Sequence, residues 1–148
     1  MSRMIFVNLP VADLAKSMAF YEAIGFTNNP QFTGDGGACM VLTDAIYVML
    51  STHEKFAQLT SREIADSHKT AQMLLALSCG DRAGVDTITA AALATGGTLA
   101  HDVEDLGFMY STGFFDPDGH GWGPFFMDMA AFEAMQQQAE TAPEPANA

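Results

Sequence analysis

Four histidines, two cysteines, three tyrosines and eighteen acidic residues are the groups in this chain best suited to move protons, attack carbonyls or hold a metal ion. The histidines are scattered. His53 and His68 flank a polar stretch, His101 follows a helix-like segment, His120 stands in a turn, and no HxH or HExxH pair occurs. Isolated histidines of this kind ordinarily sit exposed or support other groups, so none is assigned a catalytic role. Cys39 and Cys79 lie inside apolar segments without metal-type spacing, which predicts buried reduced thiols and suits a reducing cytoplasm. Tyr110 falls in a strand-like run, where an aromatic packs more often than it serves as a general acid. The densest polar motif is Asp116-Pro117-Asp118-Gly119-His120. It reads as a hairpin turn: Pro117 fixes φ, Asp116 can accept from backbone two residues on, Gly119 takes positive φ, and apolar runs end at Phe115 and resume at Trp122.

The elements that must position these groups are bounded by composition. At 148 residues the chain is one domain or two similar halves sharing a core, long enough to bury roughly two-thirds of its unfolded surface. Hydrophobic residues make up 49% and charged residues 16%, as in globular proteins rather than disordered ones. The formal charge is −12, and no Lys or Arg follows Arg82, which argues against nucleic acid as a partner because the second half cannot replace DNA counterions. No apolar run is long enough to span a bilayer, and the first residues lack a signal-peptide pattern. No membrane partner is therefore expected, and the expected location is cytoplasmic.

In chain order, residues 4–11 read as a strand, and Asp13 caps a helix in which Leu14, Met18, Tyr21 and Ile24 recur at helical spacing until Gly25 ends it. Residues 26–33, 38–43 and 45–51 read as three further strands. A polar connector, 53–70, follows, with Thr60 and Glu63 at the spacing of a capping box for a short helix. The order then repeats: a strand over 71–79, a helix capped by Asp81 with Val85, Ile88 and Leu93 on one side, and strands over 98–103, 108–115 and 120–127. Each helix is expected to bury its face against its own sheet. Residues 129–139 predict a terminal helix and 141–148 a disordered tail. The domain organisation is thus a first βαβββ module (1–52), a connector (53–70), a second βαβββ module (71–128), and a terminal helix with tail (129–148). The fold class is α+β.

This duplication, together with Asn8-Leu9-Pro10-Val11-Ala12-Asp13, the stretch Ser17 to Phe26, and Asp116 to His120 followed by Trp122, resembles the vicinal oxygen chelate superfamily of glyoxalases, extradiol dioxygenases and bleomycin-resistance proteins. The resemblance covers about residues 4–128. It implies that the two modules curl into a mixed sheet of the glyoxalase/bleomycin-resistance type, around a cavity that a partner subunit often completes. It also implies where the enzymes of the family hold a divalent metal. The first ligand position falls at Phe6, aligning Val11 with Cys79 carries it onto Leu74, and the other two fall near Met49 and at Gly123. None of these suits the hard or borderline cations of the family. Neither metal nor any other cofactor is expected.

Strand alternation groups Asn8 with Phe6, Tyr47 and Ser51 with Met49, Ser78 with Leu74, and Phe125 with Gly123. The cavity candidates are accordingly Phe6, Asn8, Tyr47, Met49, Ser51, Leu74, Ser78, Tyr110 and Phe125. Mostly apolar walls with a few polar groups are the usual composition of a small-molecule site. The expectation is a homodimer that holds an aromatic or cationic small molecule without catalysis. The alternative is a metal-dependent glyoxalase-like lyase or dioxygenase whose ligands lie at other positions.

Overall fold

The computed structural model describes residues 2–141. Two four-stranded sheets with the same connectivity form its frame. In the first, β1 (Ile5–Val11), β2 (Thr27–Asn29), β3 (Gly37–Val41) and β4 (Ile46–Thr52) lie in the order β1-β4-β3-β2, with α1 (Leu14–Ala23) against one face. The second repeats this arrangement. Here β5 (Leu74–Ser78), β6 (Thr98–Asp105), β7 (Met109–Phe115) and β8 (Gly121–Met127) lie in the order β5-β8-β7-β6, with α3 (Arg82–Ala94) as the packed helix. Each first strand runs parallel to its fourth, and the other pairings are antiparallel. The predicted tandem βαβββ modules are therefore present, as two open sheets rather than a single one.

The sequence signals act where expected at several points. Asp13 and Asp81 accept from the backbone N–H three residues on and start α1 and α3, and Gly25 and Gly96 follow the two helices with φ of 111° and 97°. Three local expectations are corrected. The strand expected over 26–33 stops at Asn29, because Asn29 caps a 3-10 turn that begins at Pro30. The short helix α2 is His53–Ala57, capped by the hydroxyl of Thr52, whereas Thr60 accepts from the Arg62 amide in a turn and caps no helix. That local bond offers the backbone an alternative to helix. On α3 the buried side is Val85, Thr89 and Ala92, and Leu93 is exposed. The helix α4 (Met129–Thr141) starts on Asp128, whose carboxylate accepts from the Ala131 amide. Of the expected tail, residues 142–148 lie outside the described residues.

The core does not respect the module boundary. Leu9, Val11, Ala38, Met40, Val48 and Leu50 of the first sheet pack with Phe20 and Tyr21 of α1, and the same cluster takes in Ala92, Phe114 and Trp122 of the second module. Phe20 meets Phe114 edge-on at 6.1 Å, and Tyr21 and Phe26 meet Trp122 at 5.8 and 5.9 Å. Burial against its own sheet alone, expected for each helix, is thus too narrow for α1. A fully buried Phe contributes about 1.5–3 kcal/mol, so part of the first helix's stabilisation depends on the second module. Gly97 permits the approach, since a Cβ there would lie 2.7 Å from the Ala92 carbonyl and 2.9 Å from the Phe20 ring.

Candidate functional site

The turn after β7 closes as its sequence predicts and also performs a tertiary task. Asp116 Oδ1 accepts from the amides of Asp118 (2.9 Å) and His120 (2.8 Å), and Gly119 adopts φ of 90°. The remaining polar atoms reach into the first module. Tyr21 donates its hydroxyl to Asp116 Oδ2 at 2.6 Å and accepts from Trp122 Nε1 at 3.1 Å. Asp118 accepts from the Ala12 amide (2.8 Å) on one oxygen and from the Ser17 hydroxyl (3.1 Å) on the other. His120 Nε2 lies 2.8 Å from the Pro10 carbonyl; because a carbonyl only accepts, that nitrogen carries the proton. The turn motif is therefore a clamp between modules. Burial raises the Asp116 carboxyl above the ordinary range, while the His120 ring, the Tyr21 hydroxyl and the two backbone amides pull it down. Burial, and then the Asp116 charge, raise the Tyr21 phenol well above its usual value.

Each sheet has one face under its helix and one face open. On the first sheet the face away from the helix carries Phe6, Asn8, Tyr47, Met49 and Ser51, of which Ser51 is buried: Phe6 pairs with Tyr47, Asn8 with Met49 and Pro10 with Ser51, opposite in direction to Leu9, Val48 and Leu50. Phe6 and Tyr47 stack with ring centroids 4.4 Å apart and planes 11° from parallel. On the second sheet Leu74 pairs with Gly121 and Ser78 with Phe125, so these side chains share the face opposite Trp122. Tyr110 departs from the expectation. It points to the helix side, donates to Asp86 of α3 at 2.7 Å and lies under the Arg82 guanidinium, which bonds Asp105 at 2.7 Å. Residue parity explains this, since Tyr110, Thr112 and Phe114 alternate onto one face.

A cavity of about 400 Å³ opens elsewhere. It lies under the connector, between the last residues of β1, the approach to β5 and the turn, and of the nine candidates only Asn8 and Leu74 line it. A neighbouring hollow of about 350 Å³ is lined by His53, His68 and His120 together with Asp66 and Asp118. This convergence of three histidines carried no sequence signal, because residues 53, 68 and 120 meet only when the connector folds back over the turn. Both cysteines are free, Cys39 buried and Cys79 half-buried, and burial raises both thiols.

The positions where the superfamily resemblance implies metal ligands are Phe6, Met49, Leu74 and Gly123. Three carry carbon or thioether side chains and one carries none, so the donor set does not fit a divalent cation. Among the described residues no group of three His, Cys, Asp or Glu side chains could hold a metal ion. None of their helices is long and apolar enough to cross a membrane.

Residues 3–43 match the family model for the N-terminal region of bleomycin resistance protein-like proteins. None of the curated proteins matches the chain. Solved structures with the same fold include a hypothetical protein from S. aureus, with TM-score 0.72 and 22% identity over 85% of this chain and 94% of that one. A glyoxalase/bleomycin resistance protein/dioxygenase family enzyme from Burkholderia phytofirmans PsJN superposes with TM-score 0.71 at 20% identity, over 85% of this chain and 99% of that one. A glyoxalase-related enzyme from Fulvimarina pelagi gives 0.72 at 19% identity, over 85% and 88%. The match over residues 3–43 and these superpositions show that the chain shares the fold of the glyoxalase/bleomycin resistance protein/dioxygenase structures.

Proposed function

We propose that the chain binds an aromatic or cationic small molecule on the open sheet faces without using a metal, in a cavity that a second copy of the chain closes. The observation that carries this reading is the chemistry of the open face itself. Where metal enzymes of the superfamily place donors, this face presents the stacked Phe6–Tyr47 pair, Met49 and Leu74. Aromatic faces and a polarizable thioether suit an aromatic or cationic guest. Closure by a second copy is supported by exposure: Leu74 is 74% and Phe6 47% exposed, and β1 and β5 are unpaired sheet edges. The excess of acidic residues adds a field that favours cations.

The reading is tested on purified protein by sedimentation, elemental analysis and ligand titration together. Twice the chain mass at micromolar concentration, no stoichiometric metal, and quenching of tyrosine fluorescence by an aromatic cation that is lost in Met49→Lys or Phe6→Ala support it. One equivalent of tightly held metal, with isomerase or dioxygenase activity that disappears on its removal, overturns it in favour of an enzyme.

A further inference from the structure

We infer that the cleft beneath the connector, which shares Asn8 and Leu74 with the open sheet faces but not Phe6, Tyr47 or Met49, is a second ligand site for a small molecule with an apolar body and a protonated amine head. The two hollows there are contiguous, sharing Pro10, Ile64, Ser67, His68 and His120 as a common wall. The larger is walled on its apolar side by Phe56, Ile64, Met73 and Phe115, and at about 400 Å³ it falls within the range of small-molecule sites. The smaller brings together the side chains of His53, Asp66, His68, Asp118 and His120. Together they match a ligand with two unlike ends.

The carboxylates at the polar end have acceptor capacity left over. Asp118 accepts one bond on each oxygen and Asp66 Oδ1 accepts from the His68 amide, so both carboxylates keep lone pairs to spare. His120 gives its Nε2 proton to Pro10, so that donor is already used. Glu63, Asp66 and Asp118 line the two hollows beside Lys69 and the imidazoles of His53, His68 and His120. An ammonium group answers this arrangement, whereas a carboxylate or phosphate meets like charge. The wall is also fixed in place: Gly119 passes so near the connector that a Cβ would lie 2.7 Å from the Ser67 carbonyl carbon and oxygen.

Three probes with one apolar body separate the possibilities: 4-phenylbutylamine, 4-phenylbutan-1-ol and 4-phenylbutyrate, titrated calorimetrically into the full chain and followed by amide shifts. The amine is expected to bind about tenfold more tightly than the carboxylate, from a few partly exposed charge contacts, with shifts at Ile64, Ser67, His68 and Gly119. Asp66→Asn retains the oxygen that bonds the His68 amide, so it should fold normally, weaken the amine several-fold and leave the alcohol unchanged. Met49→Trp, on the open sheet face, should leave the probe-induced amide shifts of Ile64, Ser67, His68 and Gly119 unchanged, whatever it does to binding at the sheet face. Equal affinity for amine and carboxylate, no binding of any probe at millimolar concentration, or shifts confined to the Phe6–Met49 face would each overturn the inference. Because the Met49→Trp arm addresses the other face, failure here leaves the sheet-face proposal standing or falling on its own test.

Discussion

Replacing Tyr21 by Phe removes one oxygen from a place no water reaches. Tyr21 is fully buried, Asp116 is 3% exposed and Trp122 5%. The Tyr21 hydroxyl serves two partners, so its loss leaves Asp116 Oδ2 without its donor and Trp122 Nε1 without its acceptor. An unpaired buried polar group costs about 1–3 kcal/mol, more when it is charged, so the two together should cost about 2–5 kcal/mol of stability. The pH dependence has a definite sign. Burial already raises the folded Asp116 carboxyl above its unfolded value, so ionising it costs stability; the cost is absent below the unfolded pKa and complete above the folded one. Tyr21 holds that carboxyl down, and without it the carboxyl rises further. The deficit of Tyr21→Phe relative to wild type should therefore grow as pH rises out of the carboxylate range. Urea unfolding of both proteins in mildly acidic and mildly alkaline buffer measures this directly. A deficit below about 0.5 kcal/mol, or one that grows toward acid, would refute the assignment of the turn as a buried clamp.

Three further outcomes are expected. Thr89 bonds both the Val85 carbonyl and the Thr112 hydroxyl at 2.7 Å, so Thr89→Val should cost about 1–3 kcal/mol, and adding Thr112→Val should cost little more; a double-mutant cycle in urea reads the coupling. Gly119→Ala places a Cβ 2.7 Å from the Ser67 backbone at a φ of 90°, so it should destabilise the protein by about 1–3 kcal/mol and expose residues 59–70 to limited proteolysis. Gly123→Glu has room for its Cβ, 3.7 Å from the Thr112 carbonyl, and should fold; it should gain no melting-temperature shift with zinc or nickel, since Phe6, Met49 and Leu74 still offer no hard donor. Zinc-dependent stabilisation of that variant would show donors near the open face that strand alternation does not identify.

The features legible along the chain are local ones. Asp13 and Asp81 as caps, Gly25 and Gly96 behind the helices, and the Asp116 to Gly119 turn are all decided within a few residues, and the repeated strand and helix periodicity was enough to specify two βαβββ modules. Alternation also assigned Phe6, Asn8, Tyr47, Met49 and Ser51 to one face, because a strand's side chains can point only two ways. It could not say which face meets the helix, and so Tyr110 was grouped with a cavity it does not line. Competition between equally local signals misled at Thr52 and Thr60, where either hydroxyl could cap a helix and only the chain leaving β4 selects the first. The remainder needed the tertiary structure. That Tyr21 should bond Asp116 across 95 residues, or that His53, His68 and His120 should face one hollow, follows from how the second module and the connector dock on the first. Such contacts arise between segments whose own sequences are satisfied without each other, so nothing in either segment records the partner until packing brings them together.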